Sequence, residues 1–249
     1  MRKGWRIALL VVSLIIVVVA GFVLWGETPA QPMPAALAAL QSDAQVTVTQ
    51  AQWLVFSPAN SQPTTGLIIY PGGRVDYRAY APAAHQIASQ GYLVVIVRMP
   101  LNLAVFDSNA ASRVISVHPQ IEQWAIGGHS LGGAMAATFA KNHPDLVQGL
   151  ALWAAYPASS DDLSQSALRV VSIYASLDGL ATGEKIDASR PLLPADTTWV
   201  NISGGNHAQF GWYGDQPGDN QAAISRTDQQ AQVIAATWEM LKSLKRNGD

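Results

Sequence analysis

The run Gly128-His129-Ser130-Leu131-Gly132-Gly133 constrains this 249-residue chain more than any other feature, because of what flanks it. An apolar stretch, Trp124 to Gly127, precedes it, and a segment rich in small residues, Leu131 to Asn142, follows. Read as strand, tight turn and helix, the segment forces the serine backbone into a strained conformation. Glycine two positions to either side lets neighbouring backbones pass that close. Ser130 then projects its hydroxyl at the tip of the turn. The helix behind it directs free N–H groups and a partial positive charge toward any oxyanion formed there. The pattern G-x-S-x-G alone recurs by chance, so the strand and helix around it carry the argument.

The rest of the chain supplies a matching frame. Val46 to Thr49 and Trp53 to Ser57 predict an opening antiparallel pair. Gly66 to Tyr70, Tyr92 to Arg98, Trp124 to Gly127, Gln148 to Trp153, Arg169 to Ala175 and Thr198 to Ile202 predict buried strands. Runs such as LIIY and YLVVIV lack polar alternation, as expected where helices cover both faces of a parallel sheet. Helices are predicted at Tyr77 to Gln90, Val105 to Val117, Leu131 to Asn142 and Gln221 to Lys245. The expected class is α/β, a doubly wound and mostly parallel sheet of seven or eight strands.

A serine hydroxyl needs a base, and the base needs an orienting carboxylate, here in the chain order Ser, Asp or Glu, His. Only His143 and His207 follow the nucleophile. His143 ends the helix that begins at Leu131, about 18 Å away at the helical rise, which leaves His207, in the glycine-containing loop Gly204-Gly205-Asn206-His207. His129, beside the serine, should point elsewhere, and His85 and His118 precede it, so packing or surface roles fall to these and to His143. Asp178, three residues past the strand ending at Ala175, is the expected acid, with Glu184 and Asp187 as alternatives. Asp161 and Asp162 read as a helix cap, and Asp196 as a turn residue. For the oxyanion, one N–H is expected from Leu131 and another from the loop Pro71-Gly72-Gly73-Arg74. Gly73 is the expected donor there, with Gly72 or Arg74 as alternatives.

The amino terminus is of a different kind. Ile7 to Trp25 is nineteen residues long with Ser13 as its single polar member, preceded by Arg2, Lys3 and Arg6. At ~1.5 Å per residue it spans one hydrocarbon core, longer than the apolar part of most cleavable signals. An uncleaved anchor (1–26) is expected, with a signal peptide cut near Val18 to Ala20 as the alternative. Three basic residues before the span and none in the ten after Trp25 place the remainder outside the cytoplasm, membrane-bound or, after cleavage, secreted. Residues 27–44, with Pro29, Pro32 and Pro34, read as a loosely ordered linker, and 45–249 as one domain.

Composition removes several function classes. No cysteine means no thiolate nucleophile, disulfide, zinc–thiolate or iron–sulfur site. The net charge is −2, and −4 once the first 27 residues, with three basic and one acidic, are set aside. With no basic cluster beyond Arg6, nucleic acid is excluded as a partner. Nothing in the pattern speaks to oligomeric state.

Four segments carry a family resemblance: YPGGRVDYRAYAP, GGHSLGGAMAA, ASLDG and GGNHAQFGWYG. From Gly66 to Leu241 the chain resembles the α/β-hydrolases, in particular small, uncapped bacterial esterase-like and dienelactone-hydrolase-like members. The resemblance implies that these segments carry the oxyanion loop, nucleophile, acid and base in that order, with no metal or organic cofactor. It differs from dienelactone hydrolases proper in having Ser130 where they carry cysteine. The implied activity is hydrolysis of small carboxylic esters through an acyl-serine. An acyltransferase or peptidase using the same residues, or a non-catalytic binding module, is the alternative. Only fifteen residues, Ala154 to Leu168, stand where capped relatives insert a lid, and they are small and polar. Phe210, Trp212 and Tyr213 offer one short apolar wall, so acyl groups of about two to four carbons and no interfacial activation are expected.

Overall fold

The computed structural model describes residues 2–244. A long helix, α1 (Arg2–Gly26), projects from the domain; its apolar stretch Ile7–Gly26 is long enough to cross a membrane, and residues 7–25 of it are exposed. A short helix, α2 (Pro34–Ala38), follows. The domain then runs β1 (Val46–Gln50), β2 (Leu54–Pro58), β3 (Thr65–Tyr70), α3 (Ala81–Ser89), β4 (Leu93–Ile96) and α4 (Ala110–Val117). It continues through β5 (Gln123–His129), α5 (Leu131–Asn142), β6 (Gly149–Trp153), β7 (Arg169–Ala175), α6 (Gly183–Ser189), β8 (Thr198–Ile202) and α7 (Arg226–Lys242).

The eight strands form one sheet in the order β1-β2-β4-β3-β5-β6-β7-β8. β1 pairs antiparallel with β2 and β2 with β4, and every later pairing is parallel. The period of two sorts each buried run between two cores. Leu67 and Ile69 of β3 join α3 and α7 on one face; Ile68 and Tyr70 join α4 and α5 on the other. Losing one such side chain, as in Ile68→Ala, would cost about 2–5 kcal/mol. β3 has β4 on one side and β5 on the other, so the chain changes winding direction at the β3–β5 crevice. Ligand sites of open α/β sheets gather at the carboxyl ends of strands beside that switch.

All eight expected strands are present, with ends shifted by at most two residues. Helices differ more. The stretch from Tyr77 splits into a 3-10 turn, Tyr77–Tyr80, and α3, because Pro82 sits in the first turn of α3 and Asp76 caps the turn before it. The stretch from Val105 becomes a 3-10 turn, Ala104–Phe106, and α4. α7 begins at Arg226 rather than Gln221, where Ser225 Oγ accepts from Asp228 N–H in an N-cap; the expected end at Lys245 lies outside the described residues. α6 has no counterpart among the expected helices. Asp161 and Asp162 cap no helix: Asp161 is buried and accepts from Thr138 Oγ1, and Asp162 accepts from Ser164 N–H in a turn.

Residues 27–44 are not a free tether. Ala30 bridges Val75, Pro32 bridges Tyr213, and Met33 N–H donates to Trp212 O at 2.8 Å. The prolines keep this segment extended, and extended backbone finds partners along the domain surface.

Candidate active site

Four loops, at the carboxyl ends of β3, β5, β7 and β8, converge. At the end of β5, Ser130 has φ 53° and ψ −122°, a left-handed conformation that costs a non-glycine residue about 1–3 kcal/mol and persists only where its surroundings over-determine it. Those surroundings are backbone. A Cβ on Gly132 would lie 2.2 Å from Tyr70 O, and one on Gly128 would lie 2.6 Å from the same oxygen. The glycines therefore let the turn wedge against the end of β3. Leu131 opens α5, so its N–H has no helical acceptor.

β7 and β8 deliver the second pair. His207 Nδ1 donates to Asp178 Oδ2 at 2.8 Å, and both side chains are buried. Asp178 Oδ1 accepts from Leu180 and Ala181 N–H, both at 2.7 Å, which fixes the carboxylate plane. With Nδ1 carrying the hydrogen, Nε2 presents its lone pair, and this buried atom has no partner among the described residues. His207 and Ser130 line one cavity of about 300 Å³ together with Leu131, Ala134, Ala154, Ala155, Tyr156, Leu180 and Ala181. A larger cavity lies at the far end of α5, near Lys141 and Asp162, away from these groups. Glu184 and Asp187 sit exposed on α6, and neither bonds His207. Ala154–Leu168 holds no helix and forms no lid.

The loop after β3 offered three candidate donors, and two are spent. Gly72 N–H donates to Tyr80 Oη at 2.9 Å, and Arg74 N–H donates to Asn102 O at 2.8 Å. Gly73 N–H has no acceptor among the described residues. A Cβ on Gly73 would lie 3.1 Å from Leu131 Cδ2, so the loop and the start of α5 touch.

Several residues that hold this geometry carry no signal in the motifs. His129 does not turn away from the site: its ring packs 4.5 Å from that of His207 and stacks on Phe210. Burial first, and the neighbouring His207 imidazole second, hold its pKa well below the ordinary value, so it is neutral. Tyr80 Oη accepts from Gly72, so its own hydrogen goes to His129 Nδ1 at 2.9 Å. Burial pushes the Tyr80 hydroxyl pKa up, which keeps that hydrogen in place. Asp219 ties the Asp178 loop to the His207 loop: Oδ1 accepts from Gly179 N–H (3.1 Å) and His207 N–H (3.2 Å), and Oδ2 from Ala208 N–H (2.8 Å). Gly218, at φ +86°, provides the turn before it. Arg226 donates to Ala208 O and Gly211 O and clamps the loop from the other side.

Ser130, Asp178 and His207 thus gather at the carboxyl ends of the strands of a mostly parallel sheet. A sequence model of the alpha/beta hydrolase family matches residues 66–231, two-thirds of the chain, and the protein belongs to that family. No curated protein sequence matches significantly. Among solved structures, the chain is similar to a CIB-like hydrolase of Thermoplasma acidophilum at 14% identity and TM-score 0.57, over 80% of this chain and 98% of that one. It is also similar to an esterase domain of Rhodothermus marinus at 16% identity and TM-score 0.58, over 76% and 91%. A third neighbour, a dienelactone hydrolase candidate of Klebsiella pneumoniae, has 13% identity and TM-score 0.55, over 74% and 92%. At these identities the likeness is one of fold.

Proposed function

We propose that the protein is a serine esterase that cleaves short-acyl carboxylic esters through an acyl-Ser130 intermediate. The observation that carries this reading is the buried His207–Asp178 bond at 2.8 Å, which leaves His207 Nε2 free over the cavity it shares with Ser130. In the proposed reaction Ser130 Oγ attacks the ester carbonyl carbon as its proton passes to His207 Nε2, and Asp178 stabilises the imidazolium without taking the proton. The carbonyl oxygen becomes an oxyanion received by Gly73 and Leu131 N–H. Collapse breaks the ester C–O bond, and the leaving alkoxide takes the proton from His207. Water, deprotonated by the same nitrogen, then attacks the acyl-serine, and acid leaves.

The small cavity limits acyl length, since each further CH₂ gains its ~0.8 kcal/mol only where walls bury it. α1 serves in this reading as an uncleaved anchor with the domain outside the cytoplasm. Turnover of chromogenic acetate, butyrate and palmitate esters, with matched amides and lactones, tests the activity. Butyrate exceeding palmitate in kcat/KM, with amides inert, is expected; turnover of amides alone would make the protein a peptidase. Membrane fractionation tests the anchor, and a soluble form beginning near Gly21 would contradict it.

A further inference from the structure

The carboxyl end of α1 is built into the loop that carries Gly73. Arg74 Nε donates to Trp25 O at 3.0 Å, its Nη2 donates to Thr28 O at 2.7 Å, and the guanidinium lies 4.3 Å over the Trp25 ring. Asn102 Nδ2 donates to Gly26 O at 2.9 Å. These bonds satisfy carbonyls that end a helix without acceptable partners in hydrocarbon. A Cβ on Gly26 would lie 2.8 Å from Leu101 Cβ, so glycine is what lets the helix end close on the turn Pro100–Asn102. Arg74, Leu101 and Asn102 all have φ between 51° and 55°, three strained non-glycine residues at one junction. With Ala30 bonded on both sides, to Arg74 O and from Asp76 N–H, no slack separates helix from domain.

That rigidity sets a depth. Phe106 is 52% exposed and Val105 48% exposed, and the Phe106 ring meets Phe22 edge-on at 6.2 Å. Phe22 lies within the apolar span, four residues or about 6 Å before its end. A span seated in a bilayer therefore carries Phe106 to the level of the acyl chains. Leu103, in the same turn, would lie 3.6 Å from a Cβ on Gly73, so this exposed apolar lip borders the proposed oxyanion loop directly.

We infer that the segment Pro100–Phe106 is a bilayer-contact lip that inserts Phe106 and Val105 beside α1 and opens the catalytic cavity at the lipid surface, where an ester of a short acid and a lipophilic alcohol resides. This rests on the proposed esterase site and on α1 being retained as an anchor. The absence of a lid fits an enzyme that never leaves the interface: nothing needs to open on contact with lipid.

The chain has no cysteine, so single reporters can be placed in the full-length protein. Phe106→Cys, Ser13→Cys and Ser61→Cys, each carrying a bimane label, are reconstituted in phosphatidylcholine vesicles brominated on the acyl chains. Ser13 lies in the span and Ser61 in the loop before β3, at the amino ends of the parallel strands and so across the sheet from the carboxyl ends that carry the site. Label at Ser13 should be quenched strongly, at Ser61 not at all, and at Phe106 about twofold, as for a side chain about 5–10 Å into the interface. Quenching at Ser13 but not at Phe106 would overturn the lip and leave the anchor standing. No quenching at either would overturn the anchor and the lip with it. Protection of the Phe106 label from lipid bromine and aqueous iodide alike would assign the patch to a second copy of the chain and overturn the lip. In a separate arm, Phe106→Asp should lower the ratio of turnover on a bilayer-dissolved ester to that on a water-soluble ester by about tenfold. An unchanged ratio would overturn delivery from the bilayer. A wild type inert on both esters would fail the esterase reading, while the quenching still decides the lip.

Discussion

The turn at Ser130 and the loop at Gly73 present the two N–H groups proposed to receive one oxyanion, yet they are held in opposite ways. The turn is wedged by backbone against backbone, with Gly128 and Gly132 pressed on Tyr70 O. The loop is held by separate hydrogen bonds: Tyr80 Oη takes Gly72 N–H, the backbone carbonyl of Asn102 takes Arg74 N–H, and the Arg74 side chain reaches back to the end of α1. A position enforced by missing Cβ atoms tolerates almost no change, whereas one enforced by several hydrogen bonds loses its geometry in steps. The base loop belongs to the second kind, since Asp219 and Arg226 both hold it through backbone atoms.

The largest graded loss should come where the reacting groups themselves are touched. Asp178→Asn keeps the shape but places the wrong hydrogen on His207, and should lower kcat on the order of 10⁴-fold in steady-state ester hydrolysis. Near-normal turnover would move the acid elsewhere. Asp219→Ala strips acceptors from three backbone N–H groups in the acid and base loops at about 1–3 kcal/mol each. It should cost roughly 10²-fold in kcat with little change in KM, since it displaces His207 without touching substrate. A pure KM effect would show that Asp219 does not position the base.

Tyr80→Phe is the milder counterpart on the loop side. It frees Gly72 N–H and leaves His129 Nδ1 without a donor, so kcat should fall about tenfold while Ser130 keeps its reactivity toward a small phosphonate. If both fall together, the loop and the turn are not held independently. The smallest effect concerns pH. His129 is neutral in the fold with its pKa depressed by burial, so the unfolded chain binds a proton that the native chain does not. Stability from this group is present above about pH 6.5 and is lost as pH falls below it. The melting temperature should drop by a few degrees from pH 7.5 to 5.5. His129→Asn should flatten that slope, and an unchanged slope would assign the acid sensitivity to other groups.

The same contrast explains what the chain disclosed before its structure. Strands buried on both faces announce themselves as unbroken apolar runs, and β7 and β8 begin and end where those runs do. The turn at Ser130 was legible because glycine is the only residue that fits several of its positions. Elimination pointed to His207 and the place after β7 to Asp178, and the structure bonds these two side chains to each other. Asp219 could not be found so, because a carboxylate that accepts four amide hydrogens looks in sequence like any surface aspartate; the Gly218 before it is the single local hint of a forced turn. The docking of residues 26–33 was hidden for a related reason. Prolines and alanines read as a tether when their hydrogen-bond partners, Arg74, Asp76 and Trp212, lie far along the chain. α7 could have been placed more closely, since Ser225 and Asp228 have the spacing of an N-cap.

Whether Ser130 is the nucleophile decides the account. The full-length protein and its Ser130→Ala variant are treated with a small fluorophosphonate, and intact mass is followed by peptide mapping. The wild type should gain one phosphonyl group on the peptide carrying Ser130, and the variant should gain none. A variant that labels as fast as the wild type, or a wild type modified elsewhere, would contradict it.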